Sequence, residues 1–285
     1  MRPANIVTSV ADVLAGIAIS GFFTEAFSND KLLPVFLLCI STIGLYGGGI
    51  VFNDVFDADL DTIERPERPI PSGVVSIKEA SVLGGILLVI GVICAMLVNS
   101  TAGLFAILIA VFALVYNKWG KHNKVLGPIN MGLCRGLNLL LGISILTASL
   151  NDVWFLIFLP VIYIASITMI SNGEVHGGKK NTLYIAAILY GLVIVTILML
   201  AFKQSQLLPA MLILIPFAWF IFKPLFTAIN EPIGKNIGKA VKAGVIALIL
   251  MDAAWAAAFG AIYPAILIIL LLPLSIKLAK IFAVT

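Results

Sequence analysis

Apolar stretches of 16 to 23 residues recur along the whole of this chain, and each is long enough to cross the hydrocarbon core of a membrane as a helix. This repetition assigns the fold class before any motif is considered: all-α, a polytopic transmembrane helical bundle. Composition agrees, with 61% of the 285 residues hydrophobic and only 11% charged. The spans read as residues 5–25, 33–53, 79–98, 101–117, 128–148, 153–171, 183–203, 207–226, 238–260 and 262–283. Arg2 leads straight into the first of them without a polar cleavage region, so that span is expected to stay as an anchor. No linker, low-complexity tract or tandem repeat divides the chain, and 1–285 reads as a single integral-membrane domain.

Basic residues give the orientation, because Lys and Arg stay with cytoplasmic loops. With ten spans, fifteen of the eighteen Lys and Arg fall on one side, Lys31 and Lys203 fall on the other, and Arg135 lies inside the fifth span. A nine-span chain would put Lys277 and Lys280 outside, which argues for ten. Both termini and the long polar loops are then cytoplasmic, as for a protein of a bacterial inner or plasma membrane. The formal charge of +4 is a topology signal and makes no case for nucleic acid. Cys39, Cys94 and Cys134 lie in apolar spans without metal or redox spacing and are expected to be buried thiols.

Against this background the run from Asn53 to Asp61 stands out, because Asn53, Asp54, Asp57, Asp59 and Asp61 cluster where the second span ends. At about 100° per residue, and with Asp54 as zero, Asp61 falls near −20°, Asp57 near −60° and Asn53 near −100°, while Asp59 points about 140° away. Carboxylates roughly 5 Å apart repel by about 3 kcal/mol at an effective dielectric near 20, so one helix face carrying three of them calls for a cation. Magnesium suits: it takes hard oxygen ligands, one or two carboxylates among them, and completes its shell with water and substrate phosphate.

Three loops on the same side add candidate groups. Residues 65–73 (RPERPIPSG) hold Arg65 and Arg68 in a proline-stiffened backbone, as guanidiniums able to grip phosphate in a fork, although positive-inside topology alone would also place them there. Residues 116–124 offer Tyr116, Lys118, Trp119, Lys121 and Lys124, and residues 171–183 offer Glu174 and His176. Carboxylates with a metal, beside Arg and Lys from separate loops, describe a diphosphate site at a membrane surface, and a diphosphate with a long apolar tail fits both halves of that description. Within the spans, Asp12, Arg135 and Asp252 need partners. Arg135 could clamp either carboxylate or reach a substrate cavity, and sequence alone leaves both open.

The pattern Asn53-Asp54-x-x-Asp57-x-x-x-Asp61 followed by Arg65-Pro66-x-Arg68-Pro69 and Ser72-Gly73 resembles the first signature of the UbiA superfamily of intramembrane prenyltransferases. Arg2-Pro3-x-Asn5 and the stretch from Leu126 to Asn138 resemble that superfamily too, so the similarity covers most of the chain. The resemblance implies a bundle around a central cavity, Mg²⁺ bridging an isoprenyl diphosphate, and prenyl transfer to an acceptor, most often aromatic. It implies that Asn53, Asp54, Asp57 and Asp61 hold magnesium and diphosphate, with Asp57 and Asp61 central to catalysis, and that Arg68, Lys118 and Lys121 bind phosphate oxygens.

The third loop departs from the superfamily pattern. Where a second acidic motif of the form Asp-x-x-x-Asp is usual, this chain has Glu174 and Gly178 with His176 between, in a loop similar to that of EboC-like members. One metal ion or two is therefore left open, and two roles are open for the loop: Glu174 completing the metal shell, or Glu174 or His176 acting as a base for the acceptor. Phe52, Phe56, Tyr116, Trp119 and Tyr163 are the aromatic faces available to an allylic cation. The alternative to an enzyme is a catalytically weak or inactive protein of the same build, binding or moving an isoprenoid or aromatic lipid precursor.

Overall fold

The computed structural model describes residues 3–23, 29–123, 125–171, 173 and 177–282, and among these no strand occurs. The main helices are α1 (Pro3–Ile19), α2 (Leu32–Phe56), α3 (Ala58–Glu64), α4 (Ile77–Val98), α5 (Ser100–Lys118), α6 (Leu126–Ile143), α7 (Leu150–Val153), α8 (Phe158–Ser171), α9 (Lys180–Lys203), α10 (Leu207–Asn230), α11 (Gly234–Ala258), α12 (Ile262–Ile269) and α13 (Leu271–Ile281). Among the described residues eight stretches are long and apolar enough to cross a membrane. One of them, Leu126–Ser171, contains two crossings, α6 and α8, and the shorter Pro3–Ile19 completes the ten expected segments.

Burial separates a central helix from the ring around it. In α11 89% of the best apolar window is buried, against 22% in α4, whose outward Val, Ile and Leu side chains face lipid. Small residues allow the close crossings. A Cβ on Gly142 of α6 would run into the Val13 carbonyl of α1, so glycine is what lets α1 and α6 touch backbone to backbone and brings the level of Asp12 to that of Arg135. Between α2 and α4 the same device recurs, with a Cβ on Gly91 falling 2.8 Å from the Ser41 carbonyl oxygen.

One connection is longer and less regular than the four residues left between the spans expected at 128–148 and 153–171. The chain from Ser144 to Ile157 instead winds through short helical turns with a kink at Leu146. Polar ties hold it: Asn99 Nδ2 donates to the Ser144 carbonyl at 2.8 Å and Ser149 Oγ donates to the Ser20 carbonyl at 2.8 Å. The cysteines are free, as expected, but half-buried rather than enclosed.

Candidate functional site

The acidic run keeps its helical register through a break. α2 ends at Phe56, Asp57 adopts φ −93° and ψ 2°, and α3 restarts at Ala58. The Asp57 N–H still donates to the Asn53 carbonyl at 3.0 Å, and the Asp61 N–H to the Asp57 carbonyl at 2.8 Å. Asn53, Asp57 and Asp61 therefore line one cavity, Asp61 being 4% exposed, while Asp59 faces out and is exposed. Asp54 stands at the side of this face and does not line the cavity.

The proline-rich loop folds back beneath the run. Arg68 N–H donates to the Arg65 carbonyl, Ser72 N–H to the Arg68 carbonyl, and Gly73 turns the chain at φ +77°. This return places Arg68 Nη1 2.6 Å from Asp61 Oδ2 and 3.6 Å from Asp54 Oδ1. From the turn after α5, the Lys121 ammonium pairs with the Asp57 carboxylate. Arg65 lines the same mouth and has no carboxylate partner among the described residues.

The cavity, about 450 Å³, runs from this charged mouth into the bundle between Leu45, Ile109, Ile164, Ile167 and Leu248. Tyr116 and Asn117 of α5 stand at the junction. Asn117 was not singled out from sequence, yet it is 4% exposed, accepts from Asn53 Nδ2 at 3.2 Å and donates to the Gly49 carbonyl at 2.8 Å, so it fixes the first acidic-run residue against α5. Its one signal was an amide at the end of an apolar span. Tyr46, also unforeseen, forms part of the inner wall.

Deep in the bundle Arg135 both reaches the cavity and is clamped. Its Nη1 lies 2.5 Å from Asp12 Oδ2, its Nη2 donates to Thr8 Oγ1, and its guanidinium sits 5.3 Å from the Tyr46 ring centroid. Asn138 Nδ2 donates to the Ser9 carbonyl and to Asp12 Oδ2, Thr42 Oγ1 donates to Asn138 Oδ1 at 2.8 Å, and Asp252 lies against Asp12.

Several expected members stay outside. Lys118 is exposed, 4.7 Å above the Trp119 ring, and neither residue lines the cavity, because α5 turns Tyr116 and Asn117 inward and leaves the next two positions facing out. Phe56 and Trp119 are exposed, Phe52 packs over the Gly84 position of α4, and Tyr163 donates its hydroxyl to the Gly244 carbonyl at 2.8 Å in the core. Glu174 and His176 lie outside the described residues, as does Lys124. Gly178, which stands where a second acidic residue would be expected, donates its N–H to the Pro232 carbonyl at 3.1 Å. A Cβ there would meet Ile237 Cδ1 at 2.9 Å and Leu183 Cδ1 at 3.8 Å, so the position points into apolar packing.

Residues 13–232 match the UbiA prenyltransferase family. The chain belongs to that family. It is 29% identical over 211 residues to a digeranylgeranylglyceryl phosphate synthase of Methanothrix thermoacetophila, a match covering 71% of this chain and 77% of the relative. Its fold resembles the apo structure of a UbiA homolog from Aeropyrum pernix K1, with a TM-score of 0.74 at 18% identity over 89% of this chain and 98% of the other. A UbiA homolog from Archaeoglobus fulgidus, solved bound to DMAPP and Mg²⁺, superposes with a TM-score of 0.55 at 15% identity, covering 92% of this chain and 99% of that one. The relative's name carries a glyceryl phosphate, so it gives no support to the expected aromatic acceptor.

Proposed function

We propose that the chain catalyses Mg²⁺-dependent transfer of a prenyl group from an isoprenyl diphosphate to the hydroxyl of a glyceryl phosphate lipid within the membrane. The observation that carries this reading is the continuity of the cavity, in which carboxylates and cations at the mouth pass directly into an apolar interior. A diphosphate headgroup matches the first part and an isoprenoid tail the second.

The mouth suits a hard divalent cation by its donor chemistry. Asn53, Asp57 and Asp61 offer oxygen ligands on the cavity wall, with Asp54 beside them across Arg68, and the carboxylate pairs made with Arg68 and Lys121 mark where positive charge is wanted. Among the described residues no three acidic, His or Cys side chains gather into a ready-made cation site, so the reading rests on the donor chemistry: magnesium takes one or two carboxylates and completes its shell with water and phosphate. When bound, the metal supplies charge neutralisation of the diphosphate leaving group.

The chain's own residues do the rest. Arg68 and Lys121, on exchanging their carboxylates for phosphate oxygens, draw electron density onto the leaving group and weaken the allylic carbon–oxygen bond. That bond breaks with its electron pair leaving on diphosphate, the acceptor oxygen forms the new bond to carbon, and the acceptor's proton leaves through the aqueous mouth. Tyr116, at the junction of mouth and interior, offers an aromatic ring to the developing cation, contributing about 0.5 to 2 kcal/mol. Leu45, Ile109, Ile164 and Leu248 keep water from trapping it as an alcohol. The uncommitted Arg65 favours an acceptor that brings a phosphate of its own. The basic residues support a mouth on the cytoplasmic side.

The test is to incubate the purified protein in nanodiscs with labelled C10 to C20 prenyl diphosphates, Mg²⁺ or EDTA, and either prenylated glyceryl phosphates or aromatic acceptors. Metal-dependent diphosphate release coupled to ether formation is expected. Aromatic product alone would overturn the acceptor assignment, and metal-dependent binding without release under any acceptor would identify a lipid-binding protein instead.

A further inference from the structure

The C-terminal third carries charge that the cavity does not use. From Gln204 onward the sequence holds Lys223, Lys235, Lys239, Lys242, Lys277 and Lys280, against Glu231 and Asp252 as the only acidic side chains. Asp252 is 1% exposed within the bundle, and none of the six lysines has a carboxylate at ion-pair distance among the described residues. Positive-inside topology accounts for the side on which they lie. It does not account for what they lie beside.

Between α10, α11 and α13 an open apolar groove of about 610 Å³ is walled by Ile215, Pro216, Trp219, Phe220, Leu250 and Leu272. Each helix that lines it turns from apolar to basic at helical spacing and toward the same end. On α10 the stripe is Ile215, Trp219, Lys223; on α11 it is Leu250, Ile246, Lys242; on α13 it is Leu272, Ile276, Lys280. The geometry supports a common end. Lys242 donates from Nζ to the Ala279 carbonyl, tying α11 to α13, and Ala279 packs in one cluster with Ile246, Phe220 and Leu272. Lys223 Nζ sits 5.3 Å from the centroid of the Trp219 ring, itself 67% exposed to the lipid side.

We infer that this groove and its lysines form a docking site for one anionic phospholipid of the surrounding bilayer, its acyl chain along the groove and its phosphate at Lys223 and Lys280. The groove needs an apolar chain rather than water, because its walls offer no hydrogen-bond partner except the Trp219 ring N–H. The lysines need a net negative head, which a zwitterionic lipid lacks. Each basic residue near the surface contributes about 1 kcal/mol toward an anionic lipid, equivalent to about fivefold in affinity, so Lys223 and Lys280 together give about 25-fold.

The whole chain, purified in detergent and exposed to phosphatidylglycerol and phosphatidylcholine of identical acyl chains, is read by native mass spectrometry for lipid retained. One phosphatidylglycerol per chain is expected, preferred over phosphatidylcholine by about 25-fold, with the preference lost in the Lys223→Gln/Lys280→Gln double variant and kept in Lys78→Gln on α4. Leu272→Trp, which fills the groove without changing charge, is expected to lower retention of both lipids. Equal retention of the two lipids by the unaltered protein, or an unchanged preference in the double variant, overturns the site.

Discussion

Two aspartate–arginine pairs in this protein have the same chemistry and opposite settings. At the cavity mouth Arg68 bridges Asp61 and Asp54, with its side chain 18% exposed and its carboxylates 6% and 28% exposed. In the bundle Arg135 pairs with Asp12, with side-chain exposures of 5% and 3%, Thr8 and Asn138 satisfy what the pair leaves over, and Thr42 in turn donates to Asn138. A pair near water can exchange its partner for a phosphate or a metal at modest cost, because solvent screens the intermediate state. A buried pair cannot, since removing one member strands a charge in low dielectric. Under the proposed function the mouth pair is the one a ligand rearranges, while the deep cluster holds α1 against α6. Identical side chains are assigned different work by their depth.

The largest effect that could break this contrast is on folding. Asp12→Ala leaves the Arg135 guanidinium buried without its carboxylate and is expected to destabilise by about 3 to 5 kcal/mol, seen as a lowered thermal midpoint in detergent. Asp61→Ala, by contrast, is expected to leave that midpoint nearly unchanged and to reduce prenyl transfer on the order of 100-fold or more, because it removes an oxygen ligand proposed to hold the cation that neutralises the leaving group. If Asp61→Ala melts the protein as Asp12→Ala does, the mouth pair is structural and the contrast is lost. Next in size, Lys121→Gln is expected to raise KM for the prenyl diphosphate by about tenfold with a smaller change in kcat, the signature of a lost phosphate contact.

The sequence spoke clearly wherever the physics is local or periodic. Span length located the crossings to within a few residues, and helical register separated Asp57 and Asp61 from Asp59 even across the break at Asp57. It was silent wherever two distant segments meet. Lys118 and Lys121 belong to one basic loop, and only the turn after α5 decides that the second reaches Asp57 while the first lies over Trp119. Asn117 and Tyr46 carry no motif, and their roles depend on α2 facing α5 and α6. Arg135 is at once paired with Asp12 and on the cavity wall, a combination that a linear pattern has no means of expressing.

Gly178 shows the same limit in reverse. By the superfamily pattern it stands where an acidic ligand is usual, and on that pattern alone Gly178→Asp would restore a second metal site. In the structure the position faces Ile237 and Leu183, and an added side chain must displace Ile237 and bring a carboxylate into apolar packing. The expected result is a loss of about 1 to 3 kcal/mol in stability and no gain in turnover or in magnesium dependence, measured by thermal melting and by activity against Mg²⁺ concentration. A rise in activity would show that the third loop can bring this position to the mouth.

The smallest expected effects test the mouth most sharply, because they concern charges within a few residues of those held to matter. Asp59 lies between Asp57 and Asp61 but faces out from α3, and Lys118 is three positions before Lys121 but rests on Trp119 away from the cavity. Any general contribution of local charge to drawing in a magnesium-bound diphosphate would be shared by all of these residues and weakened by salt, since the Debye length near 8 Å at physiological ionic strength exceeds their spacing along the chain. A contribution through direct contact would not be shared. Asp59→Ala and Lys118→Gln are therefore expected to keep kcat/KM within about twofold of the unaltered protein at physiological salt, as expected for exposed charges without a ligand contact. Losses comparable to those of Asp61→Ala and Lys121→Gln would mean that the mouth acts through its summed field, and that the cavity lining is the wrong guide to which side chains touch the substrate.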